Sequence, residues 1–133
     1  MPGKYLLNGC MATSGSVLKW FAESWASASG GTNQQRYELL DQLASPLDPS
    51  PDSIVLLPYF LGEKTPLHDP SARGAMVGLC LHHRVEHIHR AILEAVVFGF
   101  RHHLDVLAEL GHRPGRIVAT DGGARSGGAG WAE

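Results

Sequence analysis

Cysteine is scarce in this sequence: the 133 residues hold two, Cys10 and Cys80. They lie far apart and without metal-ligand spacing, which excludes a disulfide framework and leaves two buried free thiols as the expectation. A strong excess of acidic over basic residues, or the reverse, is also missing. A formal net charge of −2 exerts no pull on nucleic acid or anionic lipid, so neither is expected as a partner, and an anionic ligand would have to be held by local geometry. No apolar run approaches the roughly 18 residues that span a bilayer. The opening stretch lacks the long apolar centre of a signal peptide. No membrane partner is expected and the chain reads as cytoplasmic. Internal repeats and low-complexity tracts are absent up to the glycines of the last dozen residues. What is present, 44% hydrophobic and 18% charged residues, suits one folded domain with a buried core.

Short strand-like stretches alternate with longer helical ones. Residues 4–11, "KYLLNGCM", read as a strand. "SVLKWFAESWA" follows as a helix with Val17, Leu18, Phe21 and Trp25 on one face and Ser14 or Ser16 as cap. A second helix, "QQRYELLDQLAS", sets Tyr37, Leu40 and Leu43 at three-residue spacing and ends in a proline-rich surface connection. The continuous apolar run 54–60, "IVLLPYF", fits a buried strand. The loop "LGEKTPLHDPSARG" comes next, and a loop that long is functional or tied down by its own contacts. "AMVGLCL" is another strand. The longest element spans 84–110, with a stripe of Val85, Ile88, Ile92, Ala95, Gly99, Val106 and Leu110; its middle is apolar nearly all round, as for a helix packed on both sides. Gly111 is a natural stop. "RIVAT", 116–120, returns as a strand. This grammar predicts an α/β layered domain.

Several conspicuous residues have ordinary explanations. His82, His83, His87 and His89 gather at the start of the long helix, but H-R-V-E-H lacks the H-E-x-x-H order of a zinc helix, so a solvated face is the reading, as for His102 and His103. No metal-binding side chains are expected. Glu94, inside an apolar helix, needs a backbone or arginine partner. Arg73 should tie the long loop together through Asp69 or backbone carbonyls. Trp20, Phe21 and Trp25 are core or interface aromatics before they are a platform for a base. The stretch "IVATDGGARSGG" runs from a strand into paired glycines, which accept positive φ and let a ligand approach the backbone. Locally it is a turn before it is a ligand bed, since it matches neither a Walker loop nor a G-x-G-x-x-G fingerprint.

The order of motifs adds what no single motif carries. Gly-Glu-Lys-Thr-Pro at 62–66, Asp-Pro-Ser-Ala-Arg-Gly at 69–74, Gly-Leu at 78–79, Arg-Ala-Ile-Leu-Glu at 90–94 and Gly-Gly-Ala at 122–124 together resemble the carboxy-terminal domain of the FGGY carbohydrate kinase family. The likeness runs to Ser126, and its tone is that of the xylulose and ribulose kinase branches.

That resemblance implies a three-layer, ribonuclease H-like domain of the actin-like ATPase fold, and transfer of the ATP γ-phosphoryl group to a sugar hydroxyl, a pentulose such as xylulose. It places nucleotide contacts at Gly15 and Lys19, ahead of Trp20, and at Gly122, Gly123 and Ala124; Gly127 stands where glycerol kinases have an asparagine. ATP and Mg²⁺ are the implied cofactors, the metal held through phosphates and the other lobe. The family's amino-terminal lobe, with the sugar site and the general base, has no counterpart here, so residues 1–133 read as a partial carboxy-terminal lobe, truncated at both ends and inactive alone. Asp121 is a turn acceptor rather than a substitute base. The incomplete sheet would leave open edges that invite homo-oligomerisation. A non-catalytic remnant or interaction module that does not bind ATP is the alternative.

Overall fold

The computed structural model describes residues 3, 5–25, 28, 30–47 and 53–118. In chain order these form α1 (Gly15–Ser24), α2 (Asn33–Ala44), β1 (Val55–Leu57), β2 (Ala75–Val77) and α3 (Val85–Glu109). The domain is mixed helix and sheet. The sheet is smaller than the sequence pattern suggests, a two-stranded antiparallel ribbon pairing Val55 with Val77, Leu56 with Met76 and Leu57 with Ala75. Two expected strands are corrected. Residues 5–11 run without ladder pairing, and so do 116–118; Ala119 and Thr120 lie outside the described residues. A strand needs a neighbour to satisfy its backbone, and the described residues supply none to either segment.

α2 begins at a capping box in which Thr32 accepts the Gln35 amide and Gln35 reaches back to the Thr32 amide. Such reciprocal bonds satisfy donors that the first helical turn leaves unpaired. Its inward face is Tyr37, Leu40 and Ala44. Leu43 is exposed, against expectation. A strict three-residue step drifts off a face of period 3.6, and the core lies on the i, i+3, i+7 side.

The run 54–60 is half buried. Ile54, Leu56 and Pro58 point inward while Val55 and Leu57 stay exposed. One face of the ribbon meets the helices, so burial follows the strand period of two even though the sequence is apolar throughout.

α3 organises the core. Ile88, Ala91, Ile92 and Ala95 pack with Val17 and Phe21 of α1, Leu40 of α2, and Ile54 and Leu56. Burial stops there. Val97, Phe98 and Phe100 are exposed, so the two-sided packing expected of the helix centre is not found among the described residues. Likewise Val85 and Leu110, at the ends of the predicted stripe, are exposed. At the C-terminus, Gly111 takes φ +83 and the His112 amide bonds the Leu107 carbonyl at 2.8 Å, the left-handed stop that glycine permits. Among the described residues no helix is long and apolar enough to cross a membrane.

Candidate functional site

The first two turns of α1 hold both candidate nucleotide contacts that fall within the described residues. Gly15 opens the helix, and a Cβ built there would meet nothing within 4 Å. Lys19 follows one turn later on the same face. Its side chain is 64% exposed, and its Nζ lies 4.0 Å from Glu23 Oε1. A surface pair at that distance holds its lysine weakly. Trp20 turns the other way and packs on Phe60 at 5.0 Å between ring centroids. Gly122, Gly123 and Ala124, with Asp121, lie outside the described residues.

Chain from beyond β1 secures the segment that leads into this turn. Glu63, 6% exposed, uses Oε1 to accept the Ala12 amide at 2.8 Å and the Lys64 amide at 2.7 Å. Thr65 Oγ1 accepts the Cys10 amide at 2.6 Å. The Thr65 amide bonds the Cys10 carbonyl at 3.3 Å, and the Thr13 hydroxyl donates to the Pro58 carbonyl. The Thr65–Pro66 peptide is cis.

The long loop is also bound to itself, as its length suggested. The Glu63 amide bonds the Asp69 carbonyl at 2.8 Å. Asp69 Oδ1 accepts the Ser71 amide at 2.8 Å. Arg73 donates to the carbonyls of Pro70 and Ala72 at 3.1 and 2.8 Å, so the backbone, rather than Asp69, is its partner. Gly62, at φ +75, lets the Pro70 backbone pass where a Cβ would lie 2.7 Å from its oxygen.

His103 ties α3 into this arrangement. Its Nδ1 lies 2.7 Å from the Gly99 carbonyl and its Nε2 3.0 Å from Thr65 Oγ1. The carbonyl can only accept, so Nδ1 carries the proton and, in the neutral ring, Nε2 accepts from the Thr65 hydroxyl. A solvated role for His103 is therefore corrected. Sequence reasoning passed over Glu63, Thr65 and His103 as participants, although the Gly-Glu-Lys-Thr-Pro motif was the available signal. A cavity of about 260 Å³ opens between β1, the loop and α3, with Met11, Leu57, Thr65, Phe98 and His103 among its walls. None of its lining residues belongs to α1.

His89 is a second correction. It is 2% exposed rather than solvated, and its Nε2 lies 2.7 Å from Asp41 Oδ1 on α2. Phe21 stacks beside it at 6.4 Å. Burial lowers its pKa below the ordinary 6.5, while the hydrogen bond and charge of Asp41 pull it back up. Nδ1 is buried with no hydrogen-bond partner. His83 and His87 use Nδ1 to accept the amides of Cys80 and Arg84 at 2.9 and 3.1 Å. Among the described residues no group of three or more His, Cys, Asp or Glu side chains is placed to hold a metal ion. Cys10 and Cys80 are free thiols but exposed, against the expected burial; residues 10 and 80 lie in irregular segments outside the core. Glu94 has the arginine partner its sequence context required, Arg90 Nε at 2.6 Å.

Comparison with known proteins supplies the class. Residues 1–127 match the description "FGGY family of carbohydrate kinases, C-terminal domain". The fold superposes on the crystal structure of xylulose kinase from Rhodospirillum rubrum with a TM-score of 0.78 and 47% identity, covering 89% of this chain and 23% of that one. A gluconokinase of Bacillus subtilis is 34% identical, with 92% of this chain and 25% of the relative covered. A xylulose kinase of Escherichia coli is 31% identical, with 95% and 25% covered. The chain belongs to the FGGY family of carbohydrate kinases, in the part that family calls its C-terminal domain. It spans about a quarter of the length of the curated relatives it matches.

Proposed function

We propose that this chain is the nucleotide-binding part of a sugar kinase: a partial carboxy-terminal lobe of ribonuclease H-like, actin-like ATPase type that presents adenine nucleotide to a sugar held by another lobe. The observation that carries this reading is the open first turn of α1. Gly15 leaves room for a ligand against the backbone, and Lys19 shares its face as a weakly engaged cation. Helix N-termini favour anions through their unpaired amides. Gly122, Gly123 and Ala124 would complete the contact from the Gly-Gly-Ala segment. Likeness to xylulose kinases favours a pentulose acceptor.

In the reaction the sugar hydroxyl oxygen bonds to the γ-phosphorus, the bond from that phosphorus to the β,γ-bridging oxygen breaks, ADP leaves, and the hydroxyl proton passes to a base. Mg²⁺, when bound, neutralises phosphate charge. Its ligands would be the phosphates and the other lobe. This chain's own share is binding and orientation: Lys19 offsets phosphate charge, and the bare Gly15 allows close approach. With base and acceptor site assigned to another lobe, residues 1–133 by themselves are expected to release no ADP from ATP in the presence of xylulose, ribulose or glycerol.

Titrating the chain with ADP while following backbone amide shifts tests the binding role. Shifts should centre on Gly15, Lys19 and residues 122–124, with a dissociation constant on the order of millimolar, about −4 kcal/mol. Because a Cβ at Gly15 meets nothing of the protein, Gly15→Val should leave the fold intact and abolish the shifts. No shifts in the unaltered chain at about tenfold above that concentration would transfer the assignment to the remnant or interaction module.

A further inference from the structure

α1 begins without the device that normally starts a helix. Ser14 is its N-cap residue, yet its side chain makes no cap hydrogen bond, whereas Thr32 of α2 makes a full capping box. Unpaired amides in a first turn let it fray. The start of α1 is held from outside. The amides of Cys10 and Ala12, the Cys10 carbonyl and the Thr13 hydroxyl all bond to residues 58–65. All these attachments fall within the four residues immediately before Ser14.

Glu63 is the unusual member of this set. A buried carboxylate is costly unless its charge is answered, and fixing its own loop would require only the Lys64 amide beside it. The same oxygen instead also takes the amide of Ala12, 51 residues earlier in the chain. We infer that Glu63 is a positioning residue for the nucleotide-contacting turn: with Thr65 it clamps residues 10–13 and so sets where Gly15 and Lys19 stand. This rests on the nucleotide reading above. α3 buttresses the clamp, since His103 holds Thr65 and lies over Gly9, where a Cβ would be 2.6 Å from the ring.

The test uses the full chain and three variants. Glu63→Ala removes the acceptor from both amides. It should displace the amide signals of Ala12 and of residues 15–19 in the ligand-free spectrum, while Ile92 and Ala95 in the α3 core stay in place. It should also raise the ADP midpoint about tenfold, the weight of one lost charge-assisted bond. Glu63→Gln keeps an acceptor oxygen and should restore both readouts to within about twofold. Thr65→Val removes the acceptor of the Cys10 amide and should displace the same signals; it carries the comparison if Glu63→Ala does not fold.

Unchanged signals at 15–19 and an unchanged midpoint in Glu63→Ala would overturn the inference. So would displacement spread equally over Ile92 and Ala95, which would mark a general loss of stability. If the unaltered chain binds no ADP, the nucleotide role fails separately, and the ligand-free signals still decide whether Glu63 sets the turn.

Discussion

Asp41→Ala is expected to lower the unfolding free energy by about 2 kcal/mol at pH 8, within the range for removing one partner of a buried hydrogen bond to a charged group. The size follows from the position of His89. Its ring is 2% exposed, and Nε2 has the Asp41 carboxylate at 2.7 Å. Nδ1 is already buried without a partner, so losing Asp41 leaves neither ring nitrogen satisfied. Urea denaturation followed by circular dichroism would register the loss as a lower midpoint at constant slope. In a thermal scan it would appear as a fall of about 6–10 °C for a chain of this size.

Acid should expose the same residue. Burial holds the His89 pKa below 6.5 in the folded chain. As pH falls through 6.5, the unfolded chain takes up a proton that the folded chain still refuses, because a proton on Nδ1 would be a buried donor with no acceptor. The unfolded state then binds more protons, so stability present above pH 6.5 is lost as the pH drops, until the lower folded pKa is passed. Asp41→Asn keeps an acceptor but removes the charge that raises this pKa. It should therefore deepen the acid loss while changing stability at pH 8 by less than about 1 kcal/mol. His89→Phe should remove this part of the slope below pH 6.5, which separates it from the other histidines. A cost below about 0.5 kcal/mol for Asp41→Ala, or an unchanged acid slope in His89→Phe, would refute the reasoning.

Gly62→Ala should destabilise the chain by about 2–4 kcal/mol, because the residue sits in the left-handed region and its new Cβ would meet the Pro70 backbone; a urea midpoint equal to that of the unaltered chain would contradict it. Thr32→Ala should cost about 1 kcal/mol by removing the capping box of α2, read as a lower midpoint together with faster hydrogen exchange in the first turn of that helix.

Where residues close in the chain decide the outcome, the sequence was readable. α3 follows from its apolar stripe and from Gly111, and its observed bounds, Val85–Glu109, fall one residue inside the expected ones at each end. The Arg90–Glu94 pair lies one helical turn apart, and the Arg73 loop contacts span three residues or fewer. Local pattern fails where burial is assigned by a distant element. In the run 54–60 every residue is hydrophobic, and only the one-sided approach of the helices makes Leu56 buried and Leu57 exposed. Leu43 and Ala44 are adjacent, and the direction from which α3 approaches α2 sends the smaller one inward.

By itself, the sequence determined family membership, since motifs in fixed order survive as a linear record, and it determined the helices, whose bonds and side-chain neighbours lie three or four residues apart. Through the family resemblance it also nominated Gly15 and Lys19, ahead of Trp20, as the nucleotide contacts proposed above. Only the tertiary structure decided that Glu63 reaches Ala12, that His103 bridges Thr65 and Gly99, and that His89 faces Asp41 instead of water. Most of these contacts join residues 38 to 51 positions apart. At such separations no periodicity links the partners. Chain closure and the packing of α3 bring them together, and the low-dielectric surroundings make each bond costly to lose.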